Sequence, residues 1–123
     1  MEMSRIERAR ELQDRTKKFA LRIISAFSRL PKLEEARVLG RQFLRSGTSV
    51  AANYRAACRA RSAADFISKI SIVVEEADET LLWLELLVEG KLVRAEKLEP
   101  LIAECEELLK IFSASLATAK ANR

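Results

Sequence analysis

With 123 residues, a net charge of +4, 49% apolar and 33% charged side chains, the chain is composed as one folded domain, not a disordered segment. Ala, Leu, Glu, Arg and Lys dominate, against only three glycines and two prolines, which favours helix throughout. The absence of histidine excludes an imidazole base, a conventional triad and a His-containing di-metal helix pair.

The first predicted helix runs from Ser4 to Arg29. Ser4 with Glu7 three residues later forms a capping-box pattern. Ile6, Ala9, Leu12, Phe19, Ala20, Ile23, Ile24 and Phe27 make an apolar stripe at three-four spacing. Leu30-Pro31-Lys32 marks its exit, because the residue before a proline is pushed out of helical geometry.

The second predicted helix spans Glu34 to Arg61, with Ala36, Leu39, Phe43, Gly47, Val50, Tyr54 and Cys58 as its seam. Gly47 and Thr48-Ser49 weaken the helix by propensity. Either the chain bends there, or the small residues Gly47, Ala51 and Ala52 admit a neighbouring helix.

The third predicted helix spans Ala63 to Glu89, capped by Ser62 ahead of Asp65 and stopped by a left-handed Gly90. Its seam is Ile70, Val73 and Val74, Ala77, Leu81, Leu84 and Val88. The fourth covers Arg94 to Ala119, with Leu98, Leu101, Ile102, Cys105, Leu108, Leu109, Phe112 and Leu116. Pro100 lies near its start and suggests a first turn delayed to Glu99. Four amphipathic segments of matched length with short connections predict an all-α, antiparallel up-down-up-down four-helix bundle, one domain over residues 1–123.

Three surface features stand out. On the third helix, Leu82, Trp83, Leu86 and Leu87 fall outside the seam. They form either the edge of a wide core stripe or an oligomer interface. On the second, Arg37, Arg41, Arg45, Arg55 and Arg59 lie within about 80° of arc, roughly opposite the seam. Such a row serves either as a solvated face, partly paired with acids of a neighbouring helix, or as a track for nucleic-acid phosphates. Little aromatic interleaving disfavours base stacking. Charge is also uneven along the chain: residues 1–61 carry +9 and residues 62–123 carry −5. That imbalance fits a basic surface for nucleic acid or electrostatic matching of the two halves, within or between subunits.

Other chemistry finds no support. The acids Glu75, Glu76, Asp78 and Glu79 project in different directions from one helix, so they do not gather on a metal. No phosphate-binding glycine loop is present. No catalytic residue, cofactor or metal is expected. Cys58 and Cys105 read as reduced thiols packed as small hydrophobes, with a bridge open only if the helices juxtapose them. The opening Met1-Glu2-Met3-Ser4-Arg5 starts no apolar signal region, and no apolar run reaches the roughly 18 residues of a membrane span. A cytoplasmic protein without membrane contact is expected.

Two stretches carry a family resemblance. One is Arg45-Ser46-Gly47-Thr48-Ser49-Val50-Ala51-Ala52-Asn53-Tyr54-Arg55-Ala56-Ala57. The other follows the Arg61-Ser62-Ala63-Ala64-Asp65-Phe66 junction and reads Glu75-Glu76-Ala77-Asp78-Glu79-Thr80-Leu81-Leu82-Trp83-Leu84-Glu85-Leu86-Leu87. The chain resembles the bacterial four-helix-bundle family named for intervening sequences in 23S ribosomal RNA genes. That family is similar in fold to the accessory protein of diversity-generating retroelements, a barrel-shaped homopentamer with a basic surface that binds nucleic acid. The resemblance implies a homo-oligomer, with a pentamer favoured, and RNA or DNA as a partner. It also implies structural roles for Gly47 and Asn53, with Asp78 and Glu79 pairing with arginines. Together these features predict a non-enzymatic, oligomeric accessory protein. The alternative is a structural or protein-interaction module whose charged faces serve subunit assembly.

Overall fold

The structure, a computed structural model, describes residues 3–123. Met1 and Glu2, which belong to the opening read for a signal region, lie outside the described residues. The chain forms a four-helix bundle: α1 (Arg5–Ser28), α2 (Glu34–Cys58), α3 (Ala63–Glu89) and α4 (Ala95–Ala121). At 1.5 Å per residue the helices run about 36–40 Å. Each packs on its neighbours in the order α1–α2–α3–α4, and the α4–α1 side that closes the bundle is the sparsest. No helix among the described residues is long and apolar enough to cross a membrane.

Local signals fix most of the ends. The Ser4 hydroxyl accepts the Glu7 N–H at 3.1 Å, and the Ser62 hydroxyl accepts the Asp65 N–H at 3.0 Å. Each satisfies one of the N–H groups that a first helical turn leaves unpaired. Besides shifts of one or two residues where α1 and α4 end, three ends differ from expectation. α2 stops at Cys58, three residues early, where the Arg59 N–H turns back to the Ala56 and Ala57 carbonyls. α4 begins at Ala95 and not at Glu99, so Pro100 stands inside the helix, exposed to solvent. There the missing N–H leaves the carbonyl of Glu96, an exposed residue, without its intrahelical donor. The third is the stop of α3. Gly90 keeps a right-handed conformation at φ −77°, and Lys91 takes the left-handed one at φ 61°. The Lys91 N–H reaches Val88 O at 3.0 Å and the Leu92 N–H reaches Leu87 O at 3.0 Å, a Schellman turn displaced by one residue. Glycine is needed at 90 for a different reason: a Cβ there would lie 2.7 Å from the Leu86 carbonyl oxygen.

The core is one cluster, with Phe19, Phe43 and Phe112 as its largest fully buried members. Phe27 meets Phe43 edge-on at 6.3 Å and Tyr54 meets Phe112 at 4.8 Å. α2 continues as unbroken helix through Gly47. The glycine is buried, and a Cβ would come within 2.8 Å of Ile23. Close approach of α1 is therefore the reason for the small residue. Nearer the start of α2, Gly40 admits Phe27 and Leu30 in the same way.

The seams include polar residues that an apolar pattern skips. Thr16, Ser46 and Thr80 are fully buried. Thr16 bonds its hydroxyl to Gln13 O at 3.0 Å, while Thr80 bonds Glu76 O at 2.7 Å and lies 2.8 Å from the Ser46 hydroxyl across the α2–α3 contact. Those partners remove the penalty for burying a hydroxyl. Conversely, Ile6 and Ile24 of the expected α1 stripe are 71% and 47% exposed. They stand about 80° from Thr16 around the helix, off the line through Phe19 and Ile23.

Neither cysteine is bridged. Cys105 packs against Ala77, fourteen residues into α3, whereas Cys58 precedes the start of α3. The two thiols are thus about 20 Å apart along the bundle. Burial pushes the Cys105 thiol up to about 12, and its S–H donates to Ala77 O at 3.3 Å.

Candidate functional site

The halves of opposite charge become two layers: basic α1 and α2 face acidic α3 and α4. Two arginines tie the layers together. Arg45 donates to Glu76 at 3.1 Å and to Glu79 at 3.0 Å across α2–α3. Arg15 grips Glu104 of α4 with two parallel bonds of 2.8 Å. This fork-on-carboxylate contact holds the sparse α1–α4 side together and lowers the Glu104 carboxyl below its usual range, chiefly through the Arg15 hydrogen bonds.

The arginine row on α2 therefore divides. Arg45 is consumed in holding α3. Arg37, Arg41, Arg55 and Arg59 are exposed and have no ion-pair partner among the described residues. Arg37 and Arg41 form one pair. About 21 Å further along the axis from Arg41, Arg55 begins the second.

Arg55 and Arg59 lead into a cleft of about 710 Å³ where α2 hands over to α3, lined also by Ala52, Ala56, Arg61, Asp65 and Lys69. Arg61, Asp65 and Lys69 escape a reading of α2 alone because they belong to the connection and to α3. The visible signal is a cluster of charged side chains just beyond the end of α2, and the cleft brings it together with Arg55 and Arg59. Asp65 accepts the Lys69 ammonium at 2.7 Å and the Arg61 N–H at 3.1 Å. These two bonds, Lys69 first, hold its carboxyl below the ordinary range. A second groove, of about 470 Å³, opens between α1 and α4 with Ala26, Leu30 and Leu101 in its lining and Arg22, Arg29 and Lys97 around it.

On α3, the four residues expected to form an interface separate. Leu82 and Leu86 are 46% and 39% exposed. Trp83 is half-buried, with its indole N–H buried and unpartnered among the described residues. Leu87 is a correction, for it is fully buried in the core. Its row is Val73, Thr80 and Leu87, seven apart. A seam read through apolar residues alone loses that row at Thr80.

Asn53 donates to Ser49 O at 2.9 Å, a bond inside its own helix. Of the two acids expected to pair, Glu79 does so with Arg45. Asp78 is exposed and has no ion pair among the described residues. Glu76, one turn earlier, takes the other half of the arginine fork. No group of acids and cysteines among the described residues is placed to hold a metal ion.

Comparison with known proteins bears on this arrangement. A crystal structure of a protein of unknown function from the S23 ribosomal protein family of Bacteroides thetaiotaomicron VPI-5482 superposes with a TM-score of 0.81 at 36% identity, covering 89% of this chain and 97% of that one. No curated protein matches the sequence. The family model described as 23S rRNA-intervening sequence protein matches residues 9–114, from the first helix to the last. The chain belongs to the 23S rRNA-intervening sequence protein family.

Proposed function

We propose that this protein is a non-enzymatic, self-associating bundle that holds RNA or DNA by its phosphate backbone along the outer surface of α2. One observation carries the reading: Arg37, Arg41, Arg55 and Arg59 are exposed and lack acidic partners among the described residues, although the acidic layer is only one helix away. Arginine forks that remain available match phosphate oxygens in geometry and charge. The family resemblance supports the same partner, and supports a ring of five copies.

Self-association is assigned to Leu82 and Leu86 with Trp83 beside them. Two exposed leucines one turn apart on a helix are the apolar centre that an interface between copies requires. If the charged faces served assembly alone, the arginines would be needed for the oligomer and not for nucleic acid.

Fluorescence anisotropy with labelled RNA and DNA at low salt separates these outcomes. Changing Arg37, Arg41, Arg55 and Arg59 together to Gln should weaken binding at least tenfold and leave particle mass unchanged. Arg45→Gln should leave binding within about twofold. Loss of the oligomer in the quadruple variant, with nucleic-acid binding absent from the parent, would establish the assembly role instead. Light scattering on Leu86→Asp should show a smaller particle, and an unchanged mass would remove the interface from α3.

A further inference from the structure

The α2–α3 junction cleft is built unlike the rest of the basic surface. Its lining brings together Arg55 and Arg59, one turn apart on α2, with Arg61 from the connection and Asp65 and Lys69, one turn apart on α3. Ala52 and Ala56 line the α2 side with small side chains, which leaves the cleft open. The single acid does not neutralise it. Asp65 is occupied by the Lys69 ammonium and the Arg61 backbone N–H, so three guanidinium groups remain without a counter-charge among the described residues. Like charges gathered around a concavity focus the field within it and raise the local concentration of anions. Asp65 also has a positioning effect, because its bond to the Arg61 N–H fixes the backbone from which one guanidinium projects.

We infer that this cleft is a phosphate seat that takes two adjacent phosphate groups of a nucleic-acid strand, with Arg55 and Arg59 on one and Arg61 on the other. The inference rests on the reading of the α2 surface as a backbone-binding face, and it makes one end of that face the anchor. Arg37 and Arg41 are not among the residues that line it, and they extend the track away from the seat. The arginines at 55 and 59 stand about 6 Å apart along the axis, close enough for both to converge on one phosphate, which leaves the connection to hold the next.

The test uses the full chain and the 5′-phosphorylated dinucleotide pdTpdT, which carries two phosphates at strand spacing, as probe, by calorimetry at low salt, with labelled RNA measured in parallel. Saturable binding of one dinucleotide per chain is expected. Arg59→Gln with Arg61→Gln should weaken it at least tenfold, whereas Arg37→Gln with Arg41→Gln should leave it within twofold. Asp65→Asn removes the one acid and should tighten binding about threefold, an opposite change that a merely misfolded variant does not produce. No saturable heat, or equal losses from both arginine pairs, would overturn the seat. If RNA binds but the dinucleotide neither binds nor displaces it, the seat fails and the broader reading stands. If the dinucleotide binds at the cleft but RNA does not bind at all, the seat stands as a phosphate site and the nucleic-acid reading fails.

Discussion

Gly47→Ala offers a sharp test of how α1 and α2 meet. In an ordinary helix interior this change stabilises by about 1 kcal/mol, because alanine loses less backbone freedom on folding. Here the new Cβ would lie 2.8, 2.9 and 3.0 Å from Cγ1, Cγ2 and Cδ1 of Ile23. Carbon atoms pack comfortably at about 3.5–4.0 Å, so all three contacts are repulsive. Ile23 is fully buried and β-branched, and it holds one strongly preferred rotamer in a helix. It therefore cannot swing aside, and α1 itself must shift. Overpacking of this kind costs about 1–3 kcal/mol. Set against the propensity gain, the net result is a loss of about 1 kcal/mol. Urea unfolding followed by circular dichroism reads this as a lower midpoint at unchanged slope. In an Ile23→Ala background the obstruction is gone, and the same Gly47→Ala change should then stabilise by about 1 kcal/mol. A gain in both backgrounds would refute the claim that Gly47 exists for close helix approach.

Three further expectations follow from the structure. Lys91→Gly should stabilise the protein by about 1 kcal/mol in the same unfolding assay, since a non-glycine residue at φ 61° carries a steric cost that glycine does not; a loss would contradict the displaced Schellman turn. Glu104→Gln should cost about 1 kcal/mol at neutral pH, a value discounted for the partial exposure of both partners. Because folding depresses the Glu104 pKa, this contribution is present above the ordinary carboxylate value of about 4.3 and fades as pH falls through the lower folded value. The stability gap between parent and variant should therefore close below about pH 4, and a gap that widens there would contradict the pairing. Finally, a thiol reagent should label the half-buried Cys58 in the native protein and reach Cys105 only after denaturation, given its burial and raised pKa. Equal labelling rates would show that the core opens readily.

Much of the fold was legible because apolar spacing, serine caps and a proline exit all act locally. Ser4 and Ser62 were placed by residues within three positions of each, and both caps form. What escaped depends on neighbours distant in sequence. Thr80 looks polar until Ser46 arrives from α2, and without Thr80 the row that buries Leu87 is broken. The left-handed stop falls at Lys91 and not at Gly90, and the glycine answers instead to the Leu86 carbonyl, which lies too close to residue 90 for a Cβ. The arginine row on α2 lies on the outside, as its arc implied, but only the α2–α3 contact reveals that Arg45 is taken up by Glu76 and Glu79. In the same way, the cleft needs Arg61 and Lys69, which no inspection of α2 alone supplies. Charge imbalance between the halves has two consequences within the bundle: two arginines bind the acidic layer, and the surplus faces outward.

The salt dependence of nucleic-acid affinity tests the central claim most directly. Anisotropy titrations of the full chain against a labelled DNA duplex, over a series of sodium chloride concentrations, give the logarithm of affinity against the logarithm of salt. Release of one counterion for each of the four available α2 arginines predicts a straight line with a slope of about −3 to −4. A flat line, or no binding at the lowest salt, would contradict the account.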